Sequence, residues 1–233
     1  MSDKVCVVTG VGPGLGASLT RRFASGGYKV AMLARSAGRL EQLEQDVPGA
    51  HAFATDVTDP AAVKETCARI RRDLGPIEVL LHNAGSGVFA PFLQTTPEQF
   101  EASWRVNTYA LLLLGHEVVP PMLEAGHGAI IVTGATSAWR GGASFAAFAP
   151  AKAAQRSLAQ SMARSLGPRG IHVAYVIVDG VIDIPNTRRL FPDRPDEFFL
   201  KPDAIAQTAY QLVHQDRSAW TFEMDLRPFG ETW

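Results

Sequence analysis

Lys4-Val5-Cys6-Val7-Val8-Thr9-Gly10-Val11-Gly12-Pro13-Gly14-Leu15-Gly16-Ala17-Ser18-Leu19 is the stretch that decides the fold. Its first six residues form an apolar, largely β-branched run, the habit of a buried strand. Four glycines follow within seven residues, and a helical pattern then runs from Ala17 through Phe23. Strand, glycine turn and helix in that order aim free backbone N–H groups and a helix N-terminus at one point, which attracts phosphate. Glycine is needed where the backbone adopts φ > 0 or presses close to a ligand. A glycine string alone marks turns of every kind. Between a buried strand and an amphipathic helix it reads as the cradle of a dinucleotide pyrophosphate, with a purely structural turn as the alternative.

The same alternation continues outward. Strand-like runs fall at Lys4–Thr9, Lys29–Leu33, Ala50–Ala54, Ile77–Leu81, Ala129–Thr133, Val173–Val178 and Thr221–Leu226. Helical patterns lie between them at Leu15–Ser25, Ala37–Gln45, Pro60–Asp73, Pro97–Leu123, Ala143–Leu166 and Pro202–His214. The strands are continuous apolar runs rather than alternating ones, as in a parallel sheet covered on both faces. The expected fold is α/β: a doubly wound, mostly parallel sheet of Rossmann type in three αβα layers, with residues 1–233 as one domain. The stretch Val181–Leu200, rich in Pro, Asp and Arg, leaves a strand's carboxyl end and reads as a substrate lid, or else a plain surface loop.

Composition narrows the function classes. A net charge of −1 gives no electrostatic case for nucleic acid or an anionic membrane. No apolar run reaches membrane-spanning length, and no signal peptide precedes the first strand. Cys6 and Cys67 form no metal-like cluster and are not expected to pair, which points to a reducing cytoplasm. The six histidines, His51, His82, His116, His127, His172 and His214, are scattered without metal-ligand spacing.

Several fragments coincide with one family. Thr9-Gly10-x-x-x-Gly14-x-Gly16, Asp56-Val57 after the third strand, His82-Asn83-Ala84-Gly85 after the fourth, Asn107 in the fourth helix and Lys152 in the fifth come in order and at family-like intervals. Over essentially its full length the chain resembles the short-chain dehydrogenase/reductases. The resemblance implies that Gly10, Gly12, Gly14, Leu15 and Gly16 line the pyrophosphate and ribose. It places Asp56 on the adenine amino group with the Val57 backbone nearby, and Asn83, Ala84 and Gly85 beside the adenosine ribose. Read blandly, Asp56 caps the helix near Pro60 and Asn83 is a turn residue. The second strand ends Met32-Leu33-Ala34-Arg35-Ser36, without the acid that would hold a ribose 2′-OH. Arg35 offers a planar fork of donors and Ser36 a hydroxyl, so NADP(H) is expected over NAD(H), unless Arg35 is a solvated surface charge.

The resemblance also implies three departures. The family's proton-transferring tyrosine stands four residues before the lysine, where this chain has Phe148. A phenyl ring cannot exchange a proton. Pro150 is tolerable only near a helix start. The family's substrate-orienting serine falls on Ala135, leaving Thr136 or Ser137 as substitutes, and the Pro-Gly turn after the sixth strand reads Asp179-Gly180-Val181-Ile182. Asp179 then serves the nicotinamide amide, acts as a substitute acid, or stabilises the turn; Gly180 and Ile182 would lie beside the nicotinamide. Asn107, Ser137, Phe148 and Lys152 are the catalytic positions implied, with Lys152 also a ribose ligand and Asn107 either holding a water or bending its helix. Phe89, Trp139, Phe145 and Phe148 favour an apolar carbonyl or alcohol substrate. A protein that binds NADP(H) without turnover, and reduction of an activated double bond, are the competing readings. By resemblance the chain is a homodimer or homotetramer built on its two long helices.

Overall fold

The computed structural model describes residues 4–231. Seven parallel strands form the central sheet: β1 (Val5–Thr9), β2 (Lys29–Ala34), β3 (Ala50–Ala54), β4 (Ile77–His82), β5 (Gly128–Ala135), β6 (Ile171–Val178) and, in the chain's last strand, Glu223–Leu226. The order across the sheet is β3-β2-β1-β4-β5-β6 followed by that last strand. Both faces are covered. Val5 and Val7 of β1 join a core with the helices α3 (Pro60–Asp73), α5 (Ala110–Ala125) and α6 (Phe148–Leu166), whereas Cys6 and Val8 join one with α1 (Leu15–Ser25), α2 (Ala37–Asp46) and α8 (Pro202–Val213). Burial on both faces is why each strand reads as a continuous apolar run. Cys6 and Cys67 are buried in opposite cores, so they cannot pair.

β1 lies between β2 and β4, so the chain winds first one way from β1 and then the other. A crevice opens where the winding reverses, beyond the carboxyl ends of β1 and β4. All seven expected strands occur, with ends shifted by a few residues at most. The helical expectations need three corrections. The long helix expected at Pro97–Leu123 is interrupted: α4 (Pro97–Trp104) passes into one wide π turn, Arg105–Tyr109, before α5. The next starts at Phe148 rather than Ala143, which puts Pro150 in the first turn, where a missing N–H leaves no bond broken. The Leu111–Leu114 run is buried on one side only: Leu111 and Leu114 are fully enclosed, and Leu112 is 37% exposed.

The segment expected as an irregular lid carries short regular elements. Strand β7 (Val181–Ile182) pairs with β8 (Phe199–Leu200), and helix α7 (Pro185–Leu190) lies between them. Arg188 ties the segment to itself through Asp183 (2.6 Å) and Asp196 (2.7 Å). The last sheet strand, β9 (Glu223–Leu226), is an edge strand paired with β6.

Candidate active site

The glycine turn is shaped by contact as well as by conformation. Gly10 has φ +68°, and a Cβ there would stand 2.6 Å from the Ala84 Cα. A Cβ on Gly16 would stand 2.7 Å from the Gly10 carbonyl oxygen, so only glycine lets α1 start this close to the strand. Gly12 meets nothing within 4 Å and faces open space. Gly14 is the N-cap residue of α1, with no side-chain cap and no acid in the first turn; the unsatisfied N–H groups of Leu15 and its neighbours attract an anion. The Ile184 side chain lies over Gly14, which brings the 181–200 segment onto the turn.

The loop after β4 is fastened to this turn. Thr9 Oγ1 accepts the backbone N–H groups of Asn83 and Ala84, each at 3.1 Å, and Asn83 Nδ2 donates to the Gly10 carbonyl at 3.1 Å. Asn83 therefore braces β4 against β1, more than a turn residue would. Beside it lies a cleft of about 920 Å³ whose walls include Gly10, Gly12, Arg35, Ser36, Asp56, Val57, Ala84 and Gly85. Thus eight of the expected binding positions meet at one opening. Gly14, Leu15, Gly16, Asn83, Lys152, Gly180 and Ile182 are not on its walls.

Two further cations stand on these walls: Arg39, in the first turn of α2, and Arg105, which donates to the Thr58 carbonyl at 3.2 Å. Asp56 accepts the Thr58 N–H (2.9 Å) and hydroxyl (2.8 Å), which, with Arg35 and Arg105 nearby, hold its carboxyl below the usual range. It does not cap α3. Asp59 does, accepting the N–H groups of Ala61 and Ala62, so the capping alternative for Asp56 is corrected.

Beyond Gly85 lies a second cluster. Asn107 sits in the π turn, fully buried. The wide turn leaves its carbonyl free to accept from Gln155 Nε2 (2.7 Å) and to meet His82 Nε2 (3.3 Å). Its Nδ2 donates to the Ser86 and Ser103 carbonyls, while its Oδ1 has no partner. Lys152 Nζ donates to the Thr133 carbonyl (2.8 Å) and to Gln155 Oε1 (3.1 Å). A Cβ on Gly85 would lie 3.2 Å from Asn107 Oδ1 and 3.8 Å from Lys152 Nζ. The missing side chain thus leaves a small space into which an orphan acceptor and an ammonium converge.

Burial without a nearby carboxylate pulls Lys152 from 10.5 down to about 7, and burial holds His82 near 3, hence neutral. The Phe148 ring lies 5.9 Å from Lys152 Nζ and packs on Phe89 and Phe145, with ring centres 5.4 and 6.2 Å away. Trp139, 46% exposed, stands at the loop after β5. Ser137 is buried in the short 3-10 turn there. Thr136 Oγ1 instead donates to Asp179 Oδ1 at 2.5 Å, and Asp179 also pairs with Arg227 at 3.4 Å. Asp179 thereby joins the ends of β5 and β6 to the stretch after β9.

With fold and cleft in place, relatives can be compared. Residues 4–195 match the short chain dehydrogenase family, and the chain belongs to it. It is 31% identical to carbonyl reductase [NADPH] 2 of Sus scrofa over 225 residues, covering 92% of this chain and 90% of that protein. Among solved structures, a short-chain dehydrogenase from Rhodopseudomonas palustris is 35% identical with a TM-score of 0.84, covering 98% of this chain and 100% of that one. A metagenomic short-chain oxidoreductase in complex with NADP is 27% identical with a TM-score of 0.84, covering 98% of each chain. The Rossmann-type architecture is thus that of an oxidoreductase family. Among the described residues no helix is long and apolar enough to cross a membrane, and no group of three or more His, Cys, Asp or Glu is placed to hold a metal ion.

The depressed lysine makes a signed prediction. The unfolded chain binds a proton at position 152 up to pH 10.5, the folded one only up to about 7. Between those values unfolding takes up a proton, so this group makes stability rise with pH, by at most about 1.4 kcal/mol per unit. Below pH 7 both states are charged and its contribution is flat. Urea midpoints from pH 7 to 10 should rise more steeply for the native chain than for Lys152→Met. Parallel curves for the two proteins would contradict a buried, destabilised ammonium.

Proposed function

We propose that this chain is an NADP(H)-dependent oxidoreductase acting on a small, apolar carbonyl or alcohol, with an active site in which Phe148 stands where relatives carry a phenol. The observation that carries the cofactor reading is the cleft beside the glycine turn, whose β2 end presents Arg35, Ser36 and Arg39 and no acid. An acid there would repel a 2′-phosphate, whereas a guanidinium fork holds one. The NADP-bound metagenomic relative supports the same direction.

The residues fit the whole dinucleotide. Gly10, Gly12, Gly14, Leu15 and Gly16 receive the diphosphate at the uncapped α1 terminus. Asp56 and Val57 suit the adenine, and Ala84 and Gly85, on the walls of the same cleft, suit the adenosine side, with Asn83 bracing them through the Gly10 carbonyl. Lys152 and the orphan Oδ1 of Asn107 suit the hydroxyls of the nicotinamide ribose, since a remaining ammonium N–H and a free acceptor match a diol. Gly180 and Ile182 border the nicotinamide. When bound, this cofactor supplies or accepts the hydride. The chain's own part is to orient the carbonyl carbon toward it and to exclude water. Phe89, Phe145 and Phe148 form an aromatic wall that favours an apolar substrate.

Proton transfer falls to Ser137 or to a water. Asp179 is already engaged by Thr136 and Arg227, which argues against the substitute-acid role considered for it. A missing general acid costs about 10²–10⁴ in rate, while positioning retains part of the acceleration. The second reading, a cytoplasmic sensor or partner subunit that binds NADP(H) without turnover, is favoured by one observation: the Phe148 ring is packed among two others at the position of the missing acid. The exposed Phe100, Trp104 and Leu112 along α4 and α5 suit a homodimer or homotetramer interface. The 181–200 segment, resting on Gly14 through Ile184, acts as the lid.

Three measurements test these assignments. Arg35→Ala should weaken NADPH binding at least tenfold and leave NADH within about twofold, by calorimetry, as loss of a charge-assisted contact worth about 1.5–3 kcal/mol requires; equal losses for both nucleotides would refute the 2′-phosphate role. Phe148→Tyr should raise NADPH oxidation with apolar carbonyls by about 10²-fold or more. No turnover by either form, with NADPH still bound, would favour the non-catalytic reading. Limited proteolysis within residues 181–200 should slow when NADPH is added; unchanged cleavage would remove the lid.

A further inference from the structure

One buried polar side chain in the site is unaccounted for by the reading above. Gln155 is fully buried and is tied to three others. Its Oε1 accepts from Lys152 Nζ at 3.1 Å and from the Tyr175 hydroxyl at 3.2 Å. Its Nε2 donates to the Asn107 carbonyl at 2.7 Å. The amide can face only one way, because the Lys152 ammonium only donates and the Asn107 carbonyl only accepts. The pieces come from three elements: the π turn, two positions one turn apart in α6, and β6. The Tyr175 ring fits because residue 134 across the sheet is glycine; any Cβ there would collide with it.

We propose that Gln155 is the positioning residue of this site, joining Lys152, Asn107 and Tyr175 so that the ammonium and Asn107 Oδ1 both face the space beside Gly85. An ammonium has three donors. Thr133 and Gln155 receive two of them, which fixes the direction of the third. Asn107 cannot rotate its side chain toward Gln155, because its own carbonyl already receives the Gln155 amide and its Nδ2 holds Ser86 and Ser103. The orphan Oδ1 is therefore held outward by the same network. The titratable groups facing Lys152 are His82, from β4, and Tyr175, from β6; burial keeps the first neutral and raises the phenol's pKa. No carboxylate faces the ammonium among the described residues, so Gln155 and Thr133 are its only fixed acceptors.

This inference rests on the reading that Lys152 meets the bound nucleotide, and its test does not need the nucleotide. The chain has five lysines, so the 13C-labelled Lys152 side chain can be assigned by its loss in Lys152→Met and titrated by NMR. Gln155→Met removes an acceptor from the charged form and should move the Lys152 midpoint down by about one pH unit. Gln155→Glu puts a carboxylate in its place and should move the midpoint up by at least that much. A residue that only fills space would not shift the two variants in opposite directions. Midpoints unchanged from the native chain, or shifted the same way in both variants, would overturn the proposal. NADPH binding is measured in parallel: failure of the native chain to bind defeats the nucleotide reading, while the titration still decides Gln155.

Discussion

Two N–H groups on one hydroxyl hold the site together. Thr9 Oγ1 receives the amides of Asn83 and Ala84, and this draws the loop after β4 against the end of β1. The contact is so close that residue 10 must be glycine: a Cβ would overlap the Ala84 backbone, and the backbone there is left-handed. The same approach defines one wall of the cleft and sets where Gly85 stands. Net stabilisation from each neutral hydrogen bond is only about 1 kcal/mol, but leaving two buried amides unmade would cost more, so the arrangement is strongly preferred over a looser loop. The crevice at the point of chain reversal is thus a consequence of backbone packing.

Around that rigid edge, the interior carries an unusual electrical load. A buried ammonium costs several kcal/mol when no anion accompanies it. Its two neutral acceptors, Thr133 and Gln155, offset part of that, and the remainder shows as a pKa pulled from 10.5 to about 7. Such an imbalance of a few kcal/mol, at about 1.4 kcal/mol per unit, is tolerated only where something else compensates. Nearer the surface some charges are paired: Arg156 grips Glu223 and fastens α6 to β9, and Arg188 closes the 181–200 segment on itself. The Lys152 ammonium, by contrast, is buried and has neutral acceptors, Thr133 and Gln155.

The parts that could be read from the sequence were those set by near neighbours. The β-branched runs, the spacing of glycines from Gly10 to Gly16 and the helix starts at Pro60, Pro97 and Pro202 all follow from local sterics and capping, and their elements occur where expected. Asp56 and Asp59 show the limit: both are acids before the same helix, and only geometry decides that the second is the cap. The π turn was unreadable because one extra residue in a helical turn leaves the apolar pattern almost unchanged. Gln155 with Tyr175, and Gly134 making room for the ring, could not be read either. Those contacts join residues on different elements, and a lone glutamine in a helix looks like a surface residue.

That hidden network bears on what a phenylalanine at position 148 means. If the site had simply decayed, its buried polar groups would be the first to be replaced by apolar ones, because a half-satisfied polar cluster in a core is worse than none. Instead Asn107, Lys152, Gln155 and Tyr175 remain joined, with distances between 2.7 and 3.3 Å. The phenyl ring itself is packed against two others rather than lining a void. The ammonium, with a neutral imidazole at His82 and the Tyr175 phenol as its titratable neighbours, lies at the space beside Gly85. In the proposed complex, hydrogen bonding to the ribose diol would satisfy the buried ammonium and the unpartnered Asn107 Oδ1 at once.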